Sequence, residues 1–415
     1  MNSTEIRNWA GNVTFHPQRL HQPTSIPELQ EIVASARWAR ALGGAYSFNR
    51  IADTAGELIA VDQLPAVHDI DRERMTVQVS AGTRYGDLST YLQNNGLALG
   101  NLASLPQISV AGACITGTHG SGNANGSLPS AVTSVTLVTA HGELVTLNHG
   151  EPEFGGVVVS LGALGIVTSM SITVCPTFDV EQSVFDGLSW RALLTHFDSI
   201  TASGYSVSVF SHFNDANRIW LKHRCGDPPG DLTHTGVHPA QTPQHPLVGL
   251  PADNCTDQLG VAGPWQERLP HFRPHFVPAT GIELQSEYFL PRAQAAAALE
   301  SLYRIRDRFA PVLLICEIRT VAADDCWLSQ NYQRDTVAIH FAWRPDMSAV
   351  MPVLPDIEQA LAPYEPRPHW GKLFTLDAAT LRASYPRWDQ FDRLTKEFDP
   401  DGKFSNDVVN SYFPR

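Results

Sequence analysis

Apolar positions recur at the helical interval in a few windows of the chain and at the strand interval in many more. The segment 26–36 repeats every three to four residues, and Ser25 with Glu28 has the spacing of a capping box, with Pro27 in the first turn. A helix is predicted there. The stretch 85–95 has the same amphipathic spacing and runs into Gly96, a residue that readily takes the left-handed conformation closing a helix. Short alternating or wholly apolar runs at 8–15, 40–42, 58–62, 67–70 and 75–80 predict strands. Runs at 131–138 and 143–147 meet at His141-Gly142 as a hairpin, and a longer apolar run follows at 155–173.

From about residue 178 the texture changes. Strand-like runs at 205–213 and 218–222 precede a segment, 226–257, rich in Pro, Gly and His, which reads as a long irregular insertion. An alanine-rich helix over 293–309, strands over 312–320 and 336–343, and a helix over 354–361 follow, which predicts a sheet with helices on one face. Short strands with few helices, then a second sheet, make an α+β chain rather than a doubly wound one.

Composition narrows the picture. The chain has 415 residues, enough for two domains and a large core; 43% are hydrophobic and 17% charged. A net charge of −13 argues against nucleic acid or an anionic membrane as partner. No apolar run reaches the roughly 18 to 20 residues of a bilayer span, and the first residues lack a signal peptide's apolar stretch, so a cytoplasmic protein is expected. The six cysteines have no framework spacing and read as free, mostly buried thiols; with no paired-histidine motif either, no metal is expected.

Four stretches carry candidate chemistry. In 103–126, ASLPQISVAGACITGTHGSGNANG, the only ionisable side chains are Cys114 and His119. Its short side chains would let backbone N–H groups approach a diphosphate, although an ordinary surface loop has the same composition. It is neither the nicotinamide-type nor the P-loop glycine pattern. Gly43-Gly-Ala-Tyr46-Ser-Phe-Asn49 is a second small-residue turn, able to admit a phosphate or a ring or simply to bend. In the strand 314–320, Glu317 and Arg319 fall on one face with Ile318 on the other; such a pair is either structural or placed for a ligand. His340 lies on an otherwise apolar strand, where a histidine satisfied within the core is the commoner case. Arg367-Pro-His-Trp-Gly-Lys372 presents cations and an aromatic wall, or else a solvated turn.

Taken in order, Asn8-Trp-Ala-Gly-Asn12, Ser47-Phe-Asn49, Ala103-Ser-Leu-Pro106, Ile108-Ser-Val-Ala-Gly112, Thr116-Gly-Thr-His-Gly-Ser-Gly122, Ser160-Leu-Gly-Ala-Leu-Gly165, the run Cys316 to Asp324, Arg367 to Lys372 and Asp399-Pro-Asp-Gly-Lys-Phe404 resemble the alditol oxidases of the vanillyl-alcohol-oxidase flavoprotein superfamily. The resemblance covers essentially the whole chain. It implies a two-domain PCMH-type FAD-binding fold: an FAD domain over 1–177, a substrate (cap) domain with a mixed or antiparallel sheet over 178–372, and a segment 373–415 returning to the FAD domain. FAD would lie against Ala41, Leu42, Gly43, Gly44, Ala45, Tyr46, Ser47, Ser104, Ser109, Gly112, Thr116, Gly117, Thr118, His119, Val167 and His369. Substrate would meet Ser104, Glu317, Arg319, His340, Ala342 and Lys372.

The implied reaction passes hydride from a polyol CH–OH to flavin N5, with O2 reduced to H2O2 by what is expected to be a monomer. Arg319 and Lys372 would stabilise the developing negative charge, and Glu317 and Ser104 would fix the hydroxyls. A dehydrogenase using another acceptor, or a homologue that binds or transforms some other ligand, are the alternatives; an acid and two cations at a flavin face favour alcohol oxidation. Two positions depart from the family pattern. Tyr46 stands where the family has the histidine that bonds to the flavin 8α carbon, which excludes a histidyl flavin here. A tyrosyl ether is chemically conceivable, but tightly bound, non-covalent FAD is expected. Ala342 replaces a threonine, leaving a more apolar wall.

Overall fold

The computed structural model describes residues 5–415 apart from 216, 229, 274, 275 and 277–281. The first half builds three sheets, the smallest the antiparallel pair Leu97–Ala98 and Cys175–Pro176. Arg19–His21, Glu57–Ala60 and Ala39–Leu42 run parallel in that order, and His68–Asp71, Thr76–Ser80, Ile166–Thr173, Val132–Val138 and Leu144–Asn148 form an antiparallel five-stranded sheet. Helix Ile26–Ser35 begins as its sequence dictates: Ser25 Oγ accepts the Glu28 N–H at 3.3 Å. Ten residues would be marginal as an isolated helix. Burial of Leu29 and Val33, worth about 1.5 to 3 kcal/mol apiece, holds it down.

The second half is one antiparallel sheet of nine strands, in the order His238–Pro239, Asp179–Leu188, Asn217–Arg224, Ser206–Ser211, Leu313–Val321, Thr336–Trp343, Leu284–Pro291 and Arg367–Pro368, with Gly263–Pro264 also paired to Asp179–Leu188. Period-two alternation divides its faces. Val209, Ile318, Ile339 and Phe341 pack against Leu299 and Leu302 of helix Ala295–Phe309 and Ile357 of helix Leu354–Leu361, forming a second core. The alternate residues, including Phe210, Glu317, Arg319 and His340, face a cavity between this sheet and the first half. The chain then returns: Leu381, Phe391, Phe404 and Phe413 join the first core.

Some expected elements differ. The 8–15 run is a turn flanked by the single bridge Arg7↔Thr14, because Asn8 turns inward to bond Asn12 and the Ser47 carbonyl instead of extending. The 155–173 run breaks into a short helix, Phe154–Val158, and the strand Ile166–Thr173, separated by the left-handed Leu161 and Gly162. Inside the glycine-rich tract, Val110–Ile115 is helical. The cysteines are free, with Cys225 exposed and Cys175 half-buried. No helix among the described residues is long and apolar enough to cross a membrane.

Candidate active site

A cavity of about 580 Å³ lies between the two halves, lined on one side by backbone and on the other by buried charge. On the first side the turn after Ala39–Leu42 meets the start of helix Val110–Ile115. The Gly44 N–H donates to Ser109 Oγ at 3.3 Å. A Cβ on Gly43 or Gly112 would stand 2.6 and 2.7 Å from that same oxygen, so only glycine permits the two turns to close together. Thr116 donates to the Gly112 carbonyl at 2.9 Å and folds the tract back over itself. Arg40, beneath the turn, spends its guanidinium on the carbonyls of Ile51, Leu161, Gly162 and Phe404; burial lowers its pKa to about 10.

The lining residues from 40–52, 103–119 and 161–162 include no carboxylate. Short side chains, reachable backbone and no acid are what a dinucleotide's diphosphate requires, so these residues fit FAD. Tyr46 lines the cavity with its ring stacked on Trp9 at 5.8 Å, and burial raises its phenol pKa.

On the other side, strand register assembles a row of side chains. Phe210, Glu317, His340 and Glu287 are successive partners across four strands. Glu287 Oε1 accepts from Arg319 Nη2 at 2.6 Å and lies 3.1 Å from His119 Nε2, while Oε2 accepts from Lys372 Nζ at 2.7 Å. Burial works against the Glu287 carboxylate; Lys372, His119 and Arg319 outweigh it and hold its pKa well below the usual range. Glu317 is likewise opposed by burial and held ionised by Arg319 and His271. The His271 Nε2–H donates to Glu317 Oε1 at 2.8 Å, and His271 Nδ1 faces Lys222 Nζ at 3.3 Å. Lys222 also donates to the Leu269 and Pro270 carbonyls. Burial brings Lys222 down to about 7 and His271 to about 4.

Two histidines present polar atoms to the cavity. The Gly371 N–H donates to His369 Nδ1 at 3.1 Å, which fixes the proton of the neutral ring on Nε2. His340 lies 3.8 Å from Glu317 Oε2, and both its ring nitrogens are buried without a hydrogen-bond partner among the described residues. It is not the satisfied core histidine its surroundings predicted. Burial, reinforced by Lys372, lowers its pKa to about 3, and an unmet buried polar atom costs about 1 to 3 kcal/mol until a ligand supplies a partner.

Nearly all the candidates from the sequence line this one cavity: Ala41 to Ser47, Ser104, Ser109, Gly112, Thr116, Thr118, His119, Glu317, Arg319, His340, Ala342, His369 and Lys372. Gly117 and Val167 do not. Gly117 shapes the turn at φ +75°, packed on the Gln330 amide, and Val167 pairs with Leu137 inside the five-stranded sheet. Arg367 and Trp370 turn away from the cavity and are buried, so neither the cationic and aromatic wall nor the solvated turn describes them. Arg367 bonds the carbonyls of Gln330, Tyr332 and Ser384, and Trp370 donates to the Leu328 carbonyl at 2.8 Å. Sequence reasoning passed over Glu287, His271 and Lys222. Glu287 in LQSEYFLP is a lone charge on an apolar strand, and Lys222 in RIWLKHR stands among other basic residues, so neither shows the acid-and-arginine pair on one face that marked Glu317 and Arg319.

Comparisons with known proteins bear on this geometry. Residues 17–148 match the FAD binding domain family, and residues 283–412 match the D-arabinono-1,4-lactone oxidase family. The chain is 50% identical over 409 residues to an alditol oxidase of Streptomyces sp. (strain IKD472 / FERM P-14339), covering 97% of this chain and 98% of that protein. It is 30% identical over 427 residues to an L-gulono-1,4-lactone dehydrogenase of Mycobacterium tuberculosis, covering 97% of each. A crystal structure of cholesterol oxidase from B. sterolicum superposes with a TM-score of 0.80 at 15% identity, over 99% of this chain and 96% of that one.

Proposed function

The chain belongs to the alditol oxidase family and has the PCMH-type FAD-binding fold, and on that premise we propose how its residues divide the work of FAD-dependent oxidation of a polyol's alcohol group. The observation that carries the proposal is the buried Glu287 with Arg319 and Lys372 bonded to its two oxygens at the cavity wall, opposite a cradle without acids. Residues 1–177 with the returning 373–415 form the FAD unit and 178–372 the substrate unit. Ala41 to Ser47, Ser104, Ser109, Gly112, Thr116, Thr118, His119 and His369 hold FAD, without a covalent bond. Bound FAD supplies the acceptor for the carbinol hydride and passes the electrons to O2, giving H2O2.

Arg319 and Lys372 set fixed positive charge where the substrate hydroxyl becomes alkoxide-like. In a buried site such charge favours the more negative transition state over the neutral alcohol. Glu287 keeps both cations aimed at that point from within the wall; it acts through them. Glu317, Ser104 and the His340 nitrogens, unpartnered among the described residues, take the neighbouring hydroxyls, each polar contact worth roughly 1 to 3 kcal/mol of discrimination.

Anaerobic titration of the purified yellow protein with xylitol or sorbitol tests the reading: the visible oxidised-flavin band should bleach, and admitted air should restore it with formation of H2O2. Bleaching that air does not reverse would make the protein a dehydrogenase, and no bleaching by any alcohol would remove the assignment. Lys372→Met should slow bleaching about 10²- to 10³-fold with FAD still bound. Acid precipitation should release the flavin of the natural protein, whereas Tyr46→His should retain it in the pellet.

A further inference from the structure

Glu317 stands at the end of a longer line of buried groups. Lys222 lies on the same face of the nine-stranded sheet, two strands away, and Ser206 is its partner on the strand between. His271, from the chain leading towards the strand Leu284–Pro291, closes the gap: its two ring nitrogens meet Lys222 Nζ at 3.3 Å and Glu317 Oε1 at 2.8 Å. The ring is held edge-to-face against Phe210 and Trp220, with centroids 5.5 and 5.2 Å away. Hydrogen-bond chemistry gives the line one direction. An ammonium donates only, and the three protons of Lys222 have three acceptors: the Leu269 and Pro270 carbonyls and His271 Nδ1. With Nδ1 accepting, the neutral ring carries its proton on Nε2 and gives it to Glu317. Arg319 Nε faces the same Glu317 oxygen at 3.7 Å, whereas Oε2 lies 3.8 Å from His340 Nδ1. One carboxylate oxygen is tied into the wall, and the other is left for the cavity that Glu317 lines.

The last torsion of a glutamate side chain is broad, so its carboxylate turns unless one oxygen is tied. Arg319 Nε at 3.7 Å is too far to tie it, and the His271 Nε2–H at 2.8 Å is not. Resting on the reading above, we propose that His271 and Lys222 are positioning residues for polyol oxidation. His271 holds the Glu317 carboxylate in the plane that turns Oε2 to a substrate hydroxyl, and Lys222 holds His271 in the tautomer and orientation that can do so. Both act through Glu317 rather than on the reacting carbon. Because Glu317 takes a hydroxyl beside the reacting one, its contact is made equally in the bound polyol and in the transition state, and its loss falls on KM.

The test is made at about pH 6 on the FAD-loaded protein, below the value of about 7 to which burial brings Lys222, so that this side chain is an ammonium. His271→Leu should raise KM for xylitol about tenfold or more, the worth of one polar contact, with kcat changed less than about threefold. His271→Gln, whose amide offers an oxygen to Lys222 and an N–H to Glu317, should keep KM within about threefold of the natural protein. Lys222→Met, which strips Nδ1 of its donor, should fall between the two. In a Glu317→Ala background His271→Leu should change KM less than about threefold, since nothing is left to position. Independently of turnover, 15N spectra of histidine-labelled protein should show the His271 signal, identified by its absence in His271→Gln, as the Nε2–H tautomer. An Nδ1–H tautomer, an unmoved KM in His271→Leu, a raised KM in His271→Gln, or an undiminished effect in the Glu317→Ala background would overturn the proposal while leaving polyol oxidation standing. Failure of xylitol to reduce the natural protein's flavin would instead remove the activity, and this role with it. Should His271→Leu fail to fold, the tautomer and the KM values of His271→Gln and Lys222→Met still decide.

Discussion

The two walls of the cavity are built on opposite principles. The wall proposed to face FAD works by removing side chains: Gly43, Gly44 and Gly112 bring two turns within contact of Ser109, and their worth lies in what they leave open. The strand wall works by filling space with charge. Glu287, Glu317, Arg319 and Lys372 are all buried or nearly so, and each is bearable only because another neutralises it. The first wall should tolerate loss of a polar contact and resist an added methyl group. The second should tolerate isosteric change and resist loss of a charge.

Removal of Glu287 should bring the largest effect. Glu287→Ala leaves Arg319 and Lys372 facing each other without their shared acid and should cost about 3 to 5 kcal/mol in chemical denaturation. A loss below about 1 kcal/mol would mean the wall does not depend on pairing. His340 gives an intermediate effect with a defined sign. Its folded pKa lies near 3 against an unfolded value near 6.5, so its neutral form favours the fold above pH 6.5 and that contribution is lost as pH falls towards 3. Between pH 7 and about pH 5 the natural protein should lose about 2 kcal/mol more stability than His340→Gln. Equal acid sensitivity of the two proteins would show that this ring does not titrate as its burial requires. A change of similar size belongs to the cradle. Gly117→Ala strains a φ of +75° and pushes on the Gln330 amide, which should cost about 1 to 3 kcal/mol and weaken FAD retention on dilution. Retention as in the natural protein would sever the link between turn shape and cofactor.

The same contrast explains what could be read from the chain. The cradle is local: glycines, serines and a threonine stand close together in 41–47 and 103–119, and the run itself is the signal. Ser25, Gly96 and Gly142 mark helix and hairpin ends for the same local reason. Glu317 and Arg319 were also legible, because period two places both on one face of a single strand. Glu287 was not, because its meaning comes from Lys372, 85 residues later, and His119, 168 residues earlier. Trp370 and Arg367 were misread for the converse reason: their own sequence is polar and compact, and only the Leu328 to Tyr332 backbone and the Ser384 carbonyl draw them inward. The helix Val110–Ile115 has too few turns to display a period.

Arg40 ties the beginning of the chain to its end. Its guanidinium bonds Phe404, the Ala39 N–H donates to the Lys403 carbonyl, and Asn406 caps three carbonyls between Arg50 and Asp53. A protein emerging from the ribosome folds its first-made parts first, yet here the Phe404 carbonyl that holds Arg40 is made 364 residues after it. The nascent chain therefore carries Arg40 without its Phe404 partner until translation has passed residue 404. A stop codon at position 404 would yield a colourless product, even though every residue assigned to FAD or substrate had been made.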